Sequence, residues 1–569
     1  MNRIASPLPL ASRGSALVLG ASLLLLATTM VVSGLLLVHL AGHSDLAAGI
    51  PMLEAAVTAS APLADLIRAL LDSSSSSSYN VTLVELQSVP IVSFPPSASA
   101  QEVADFFECL LQYRPSSADP NDASSFCGLS TTYYKPGSPV ILRSPPHAGA
   151  AAAARWTRES FVRSVKTLPN VCVAKRDPRD PSAFLPFFYF DKKRPFMAAA
   201  RSAWRDPFSV VPSMGASEFL HRDDVYFSAK VAEIAGFHSC PGLPEALQSI
   251  EELLPRPSVW ITSPGMVSRL HFDAGDNLYF QIEGRKEFVL LPPSHHWAAS
   301  LYPSLHPSAR QSQVPLEDVL VREESSTLLR YREEWLAVAN PLLGRAISDV
   351  RVASLQAGDV LFVPSFWLHH VSSLSHSFSL ASFVQYLDAP LIASIFSFEL
   401  PYLGPISELG EPQQQVILFE LISLLISGSR VLSKRHDPLC NPSVDYCFLD
   451  QQGWLKMLLY SRYRLLPQDP MLGSGIADLV PSGDAAYACG DATIFKELPS
   501  FAKNDLVNAA QALSKLFLVL PLPQRHLLLA DFVEQSSQLV LKTSLVHSYL
   551  VYCADRSPVS PPFTLLSDL

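Results

Sequence analysis

Ser268-Arg-Leu-His-Phe-Asp-Ala-Gly-Asp-Asn-Leu-Tyr-Phe-Gln-Ile-Glu-Gly-Arg-Lys-Glu-Phe-Val-Leu-Leu-Pro-Pro293 holds a His-x-Asp pair followed by two short apolar runs on either side of a Gly-Arg turn. Asn277–Ile282 and Glu287–Leu291 read as strands bounded by turn residues. Residues two apart on a strand point to one face, so His271 and Asp273 offer an imidazole nitrogen and a carboxylate oxygen to the same ion. A third ligand must come from elsewhere in the chain. Gly358-Asp-Val-Leu-Phe-Val-Pro-Ser-Phe-Trp-Leu-His369 supplies a turn, a buried strand, a proline and then a histidine that returns to the same mouth. Two neutral imidazoles and one carboxylate leave open positions on the ion, as iron(II) oxygenases require for a chelating 2-oxo acid and O2. The spacing gives the ligand role to His369 and leaves the adjacent His370 to packing or to supporting the ligands from behind.

His-x-Asp alone is a weak pattern, and the chain contains it three times, at His43–Asp45, His221–Asp223 and His271–Asp273. The first lies beside an apolar segment with no supporting motif. The second begins like a kinase catalytic loop but has Ser228 where that loop needs its metal-binding asparagine. His295, His296, His306 and His376 fall in loops with no matching carboxylate, so surface or structural roles are expected of them.

Working outward, Val259–Thr262, Asp349–Leu355, Asp359–Val363 and Ser377–Gln385 are further short runs with strand composition. Several such strands at this spacing predict a β-rich core, a double-stranded β-helix or jelly roll, over residues 258–386 of a 155–400 domain. Before it lies a mixed segment, 79–154, with strand-like Val81–Val84 and Pro139–Leu142 and a helical Ala100–Leu111; within the domain, Leu243–Leu254 is helical. After Pro401 the apolar period changes to that of helices, at Val416–Ile426, Leu506–Leu520 and Leu527–Tyr549, with Asn504 as a plausible cap. The region 401–569 is therefore read as helical, packing on the barrel or on a second copy of the chain.

At the N-terminus, residues 14–40 carry no charged side chain apart from His39 near the end. That length spans a bilayer as a helix, and it exceeds the apolar core of an ordinary cleaved signal, so a signal-anchor is favoured over a cleaved signal or a buried core helix. Arg3 and Arg13 precede the span while Arg68 is the next basic residue after it, which predicts a cytosolic tail (1–13), a stem (41–78) ending in the Ser73–Ser78 tract, and a lumenal or extracellular catalytic region. Asn80-Val-Thr is an N-glycosylation sequon on that side. The eight cysteines contain no Cys-x-x-Cys pair, which disfavours a zinc ribbon or thioredoxin-type motif and leaves disulfides open. A net charge of −10 without a dense basic patch argues against nucleic acid as a partner.

The run Ser268–Pro293 resembles the JmjC hydroxylases of the cupin superfamily, nearest to the asparaginyl hydroxylase that inhibits hypoxia-inducible factor. Leu301-Tyr-Pro303, Arg310-Gln-Ser-Gln-Val314 and Trp367-Leu-His-His-Val371 continue the likeness in order. The resemblance implies Fe(II) at His271, Asp273 and His369. It implies 2-oxoglutarate held by Lys286 and Ser268 at its far carboxylate and by Asn277 near the metal, with O2 as oxidant. Arg310 and Gln311 match residues that contact a polypeptide substrate, so side-chain hydroxylation of a protein is the expected reaction, and the C-terminal helices resemble dimerisation helices in placement. One departure concerns the strand after His369, where the family has an asparagine and this chain reads Ser377-Phe-Ser-Leu-Ala-Ser-Phe-Val-Gln385, with Ser382, Phe383 and Val384 near the place. That departure supports the alternative of a membrane-tethered cupin that binds a partner without turnover. A cupin with other chemistry has no need of Lys286.

Overall fold

A computed structural model of the chain describes most of residues 83–112, 127–143, 157–187, 207–230, 257–322, 329–332, 341–398 and 500–541, with isolated residues at 193–194, 233–234 and between 421 and 463. Outside the described residues lie the 14–40 run, His43 and Asp45, the serine tract, Asn80, Leu243–Leu254 and most of Val416–Ile426. No helix among the described residues is long and apolar enough to cross a membrane.

The N-terminal part gives β1 (Leu83–Glu85), β2 (Gln87–Ser88), β3 (Ile91–Ser93), α1 (Ala100–Gln112), β4 (Cys127–Leu129), β5 (Thr132–Tyr134) and β6 (Val140–Arg143). There follow α2 (Arg158–Val165), β7 (Thr167–Ala174), β8 (Phe208–Gly215), α3 (Ala216–Leu220) and β9 (Val225–Lys230). Thr157 and Ser160 close a reciprocal capping box that starts α2. The core strands are β10 (Ser258–Thr262), β11 (Val267–Phe272), β12 (Asp276–Glu283) and β13 (Lys286–Leu291). After β14 (Leu320–Arg322), β15 (Leu329–Arg332) and α4 (Pro341–Ala346) come β16 (Arg351–Leu355), β17 (Val360–Val363), β18 (Leu368–Ser373) and β19 (Ser377–Val384). The described C-terminal helices are α5 (Ala389–Phe396), α6 (Ser500–Val519) and α7 (Leu522–Leu541).

Two sheets face each other, a nine-stranded one ordered β3-β6-β17-β12-β19-β10-β9-β7-β8 and a five-stranded one ordered β11-β18-β13-β16-β2. The core strands alternate between them, β10, β12, β17 and β19 in the first and β11, β13, β16 and β18 in the second, which is the jelly-roll core expected from sequence. Strands of the 79–154 segment extend both sheets: β3 pairs in parallel with β6 beside β17, and β2 pairs in parallel with β16.

The period of two sorts every core strand into two faces. Tyr279, Phe288, Leu290 and Leu361 fill the space between the sheets. Leu278, Phe280 and Ile282 turn outward and are buried by Phe106 and Phe107 of α1 and Phe161 of α2. On the other sheet Leu270, Phe272, Val289 and Leu291 turn outward and pack with Leu506, Leu513 and Phe517 of α6 and Leu527 and Phe532 of α7. The late helices therefore cover the small sheet of their own barrel. The helix α6 begins at Ser500, so Asn504 lies within its first turns and does not cap it.

An ion network fastens that cover. Arg462, 2% exposed, meets Asp531 at 2.8 Å and Glu534 at 3.0 Å. The Glu534 carboxylate accepts the backbone N–H of Ser304, and the Arg462 carbonyl accepts from Gln313 Nε2 at 2.6 Å. The loop from Leu301 to Val314 is thus held from behind by α7.

Candidate functional site

The ladder between β11 and β18 sets His271 directly opposite His369, and their ring centroids lie 4.2 Å apart. The register slips between Ser268 and His271, a bulge that turns the end of β11 toward the barrel mouth. Asp273 does not share the strand with His271 as the sequence spacing implies: β11 stops at Phe272, and Asp273 is fixed in the following turn by the Phe366 N–H on its carbonyl at 2.8 Å. The turn still directs the carboxylate inward, with Oδ2 at 3.5 Å from His369 Nε2. One atom from each of the three residues lies within 4.8 Å of the others, a cluster able to hold a metal ion.

Both imidazoles are oriented in the same way. His271 Nδ1 lies 2.7 Å from the Arg269 carbonyl and His369 Nδ1 lies 3.0 Å from the Trp367 carbonyl. A carbonyl only accepts, so each Nδ1 carries its proton and each Nε2 lone pair is free for an ion. Burial, with His369 beside it, lowers the His271 pKa to about 4, which keeps that ring neutral at physiological pH. Burial alone would raise the Asp273 pKa; the close His369 ring, His271 and the Arg310 guanidinium overcome it and bring it down to about 2. His370, next on β18, points to the opposite face, 3.9 Å from Glu317, and has the packing role expected.

The same cavity is lined by Ser268, Asn277 and Lys286. Lys286 begins β13, is 3% exposed, and donates to Tyr279 Oη at 2.6 Å. Among the described residues no carboxylate pairs with it, and burial lowers its pKa to about 7. Asn277 is buried with Oδ1 lacking a partner. Across the ladder from Asn277 stands Phe383, which also lines the cavity, while Ser382 pairs with Leu278 on the outer face. An aromatic side chain therefore occupies the place where the resemblance calls for an amide. Facing the barrel, Phe187, Phe208 and Tyr226 form a mutually stacked aromatic wall with centroids 5.2–5.5 Å apart.

Arg310 and Gln311 do not line this cavity. The segment runs along the free edge of β11, with Gln311 bridged to His271 and the Ser312 N–H on the Leu270 carbonyl at 2.8 Å. Arg310 sits exposed at φ 71, its guanidinium 5.8 Å from the Phe272 ring centroid. It therefore stands at the rim beside Asp273.

The second His-x-Asp copy is no site. His221 Nδ1 meets the Ser217 carbonyl at 2.6 Å, whereas Asp223 meets His376 Nε2 at 2.9 Å. Two expectations for the remaining histidines are corrected: His376 has this carboxylate partner, and His295 has Asp349 at 2.7 Å. His295, His296 and His306 are also fully buried, because their loop is folded against the small sheet and roofed by the C-terminal helices. Sequence inspection missed Tyr279 and Ser379 in the barrel floor, although Tyr279 shares the period-two face of Asn277.

Comparison with known proteins matches residues 128–387 to a family described as a cupin-like domain. The HSPB1-associated protein 1 homolog of Danio rerio is 34% identical over 21% of this chain and 22% of its own. The lysine-specific demethylase JMJ32 of Arabidopsis thaliana is 30% identical over 20% and 36%. The human tRNA wybutosine-synthesizing protein 5 is 33% identical over 20% and 29%. This chain thus spans between about a fifth and two fifths of the length of these relatives.

Proposed function

Taking residues 128–387 as a cupin-like domain of the JmjC superfamily, we propose that the chain is an iron(II)- and 2-oxoglutarate-dependent oxygenase that hydroxylates a side chain of a protein substrate. The observation that carries this reading is Lys286: a buried cation with no acidic partner among the described residues, in one cavity with a two-histidine, one-carboxylate cluster. A fold tolerates such a cation at a cost of several kcal/mol unless something supplies the opposite charge. A dicarboxylate that chelates a metal with its 2-oxo acid end and extends its far carboxylate to Lys286 supplies it.

The donor set fits the group. His271 and His369, each with Nδ1 fixed by a carbonyl, present Nε2, and Asp273 presents a carboxylate oxygen already ionised. Iron(II) bound there supplies the activation of O2 that is coupled to oxidative loss of CO2 from the 2-oxo acid. The chain's own contribution is to hold both ends of the cosubstrate, keep the His271 imidazole neutral, and exclude water with the aromatic wall. Asn277 offers its amide N–H to a carboxylate oxygen of the ligand, and Arg310 at the rim suits a polypeptide approaching from the β11 edge.

We further infer a lumenal or extracellular setting, with the 14–40 segment as anchor and Asn80 glycosylated. The disulfide bond at Cys109 agrees with an oxidising compartment. Chromatin is absent there, which favours hydroxylation over demethylation, and the net charge of −10 disfavours RNA. Phe383 opposite Asn277 carries the competing reading, a tethered cupin that binds without turnover.

The test uses the full chain in detergent, loaded with iron(II) and 2-oxoglutarate under argon, then exposed to O2 with pooled secretory-pathway peptides. Succinate is expected from the parent protein and none above background from His271→Ala. Equal succinate from both would sink the oxygenase reading, and succinate from neither would favour the non-turnover module.

A further inference from the structure

Behind Lys286 a chain of hydrogen bonds runs in one direction. Lys286 Nζ donates to Tyr279 Oη at 2.6 Å, and the Tyr279 hydroxyl donates to Ser379 Oγ at 2.8 Å. The Ser379 hydroxyl faces Gln281 Oε1 at 3.4 Å, and Gln281 Nε2 donates to the Glu283 carbonyl at 2.6 Å and to Ser377 Oγ at 3.2 Å. Each of these side chains is at most 5% exposed. Gln281 and Ser379 are cross-strand partners in the β12–β19 ladder, so the chain is mounted on sheet backbone. Burial raises the Tyr279 pKa, which keeps the phenol protonated and able to donate.

Tyr279 has committed its lone pair to Lys286 and its proton to Ser379. It has no proton left to offer a carboxylate ligand, so its effect on an anion passes through the lysine. Lysine by itself is a point charge on a four-carbon stem with many rotamers, able to follow a ligand's end over several ångströms. Here one of its protons is tied to a hydroxyl that is itself fixed, and the side chain lines the cavity.

We propose that Tyr279, backed by Ser379, is a positioning residue that holds the Lys286 ammonium at one depth in the cavity and thereby selects the length of the 2-oxo dicarboxylate bound there. The inference rests on the cosubstrate reading of the site given above. One end of the ligand is fixed at the cluster of His271, Asp273 and His369; the other is fixed by Lys286. With both ends rigid, a single carbon count spans the gap. With the lysine released, shorter and longer acids are accommodated by swinging the stem.

Full-length protein loaded with iron(II) is titrated under argon, by calorimetry, with three acids that differ only in length: oxaloacetate, 2-oxoglutarate and 2-oxoadipate. The parent is expected to bind 2-oxoglutarate best. In Tyr279→Phe the affinity for 2-oxoglutarate falls about tenfold, the usual loss for a hydrogen bond to a charged group, while the other two acids change little, so the preference collapses by a similar factor. Ser379→Ala, which keeps the tyrosine and removes its anchor, shifts the preference in the same direction by less, and serves if the phenylalanine variant does not fold. Uniform weakening of all three acids, or an unchanged preference in both variants, overturns the proposal while leaving the oxygenase reading intact. If the parent binds none of the three acids, the cosubstrate reading fails and this inference falls with it.

Discussion

Lys286→Ala is expected to weaken 2-oxoglutarate binding to the iron(II)-loaded protein by roughly a hundredfold to several thousandfold. Removing one member of a buried ion pair costs about 3–5 kcal/mol, because the other charge is left unpaired in a low dielectric. In the complex the stranded charge would be the ligand's far carboxylate, with no second lysine or arginine among the described residues lining the cavity to receive it. Anaerobic titration of parent and variant measures this directly, and a loss under tenfold would mean that the ligand's charge is met elsewhere.

The same residue fixes a pH dependence. Its pKa in the ligand-free protein lies at about 7, below the ordinary lysine value, and the ligand binds the ammonium form. Apparent affinity should therefore be flat below about pH 7 and fall as pH rises above it, with a proton taken up on binding. In Lys286→Arg the fall should vanish between pH 7 and 8.5, since a guanidinium stays charged. Affinity that rises with pH in the parent would contradict the assignment. The linkage acts on folding with the corresponding sign: a depressed lysine pKa weighs against the folded state fully below about pH 7 and progressively less toward the ordinary lysine value.

Arg462→Met should be the most damaging substitution far from the cavity. It leaves Glu534, 0% exposed, and Asp531 without their shared cation, for a loss of about 3–5 kcal/mol. Burial already raises the Glu534 pKa and the arginine opposes that rise, so the lone acid would take up a proton and weaken its grip on the Ser304 N–H. Thermal unfolding and proteolysis at the 301–314 loop are the readouts. Adding Glu534→Gln should restore much of the loss, and a single variant as stable as the parent would show that the network contributes nothing.

The metal cluster was legible because its signals are local. Motif spacing picks His369 over His370, the β11–β18 register then sets His369 opposite His271, and turn residues bound most core strands to within two residues. Lys286 is opaque by the same logic. After Gly284-Arg285 it looks like a solvated turn lysine, and only a resemblance gave it a role; its burial comes from β18 and β16 pairing on either side. Ser379 and Gln281 are small or amide residues on separate strands, and Arg462, Ser304 and Glu534 meet across long stretches of chain, so no local pattern announces either network. Strands as short as β2 and β3 are too brief to show any period, which is why the 79–154 segment gave no hint that it extends both sheets.

The short parallel strands have a consequence for synthesis. β2 finds its partner only at Arg351 and Val352, β10 closes the barrel only against Ser377–Ala381, and Ser304 meets Glu534 later still. A chain emerging from the N-terminal end must carry β2 and β6 without their barrel partners until about two thirds of it has been made, and contacts of such long sequence separation form slowly. The first strands therefore stand as open edges through most of synthesis, the stage at which edge-to-edge association competes with folding.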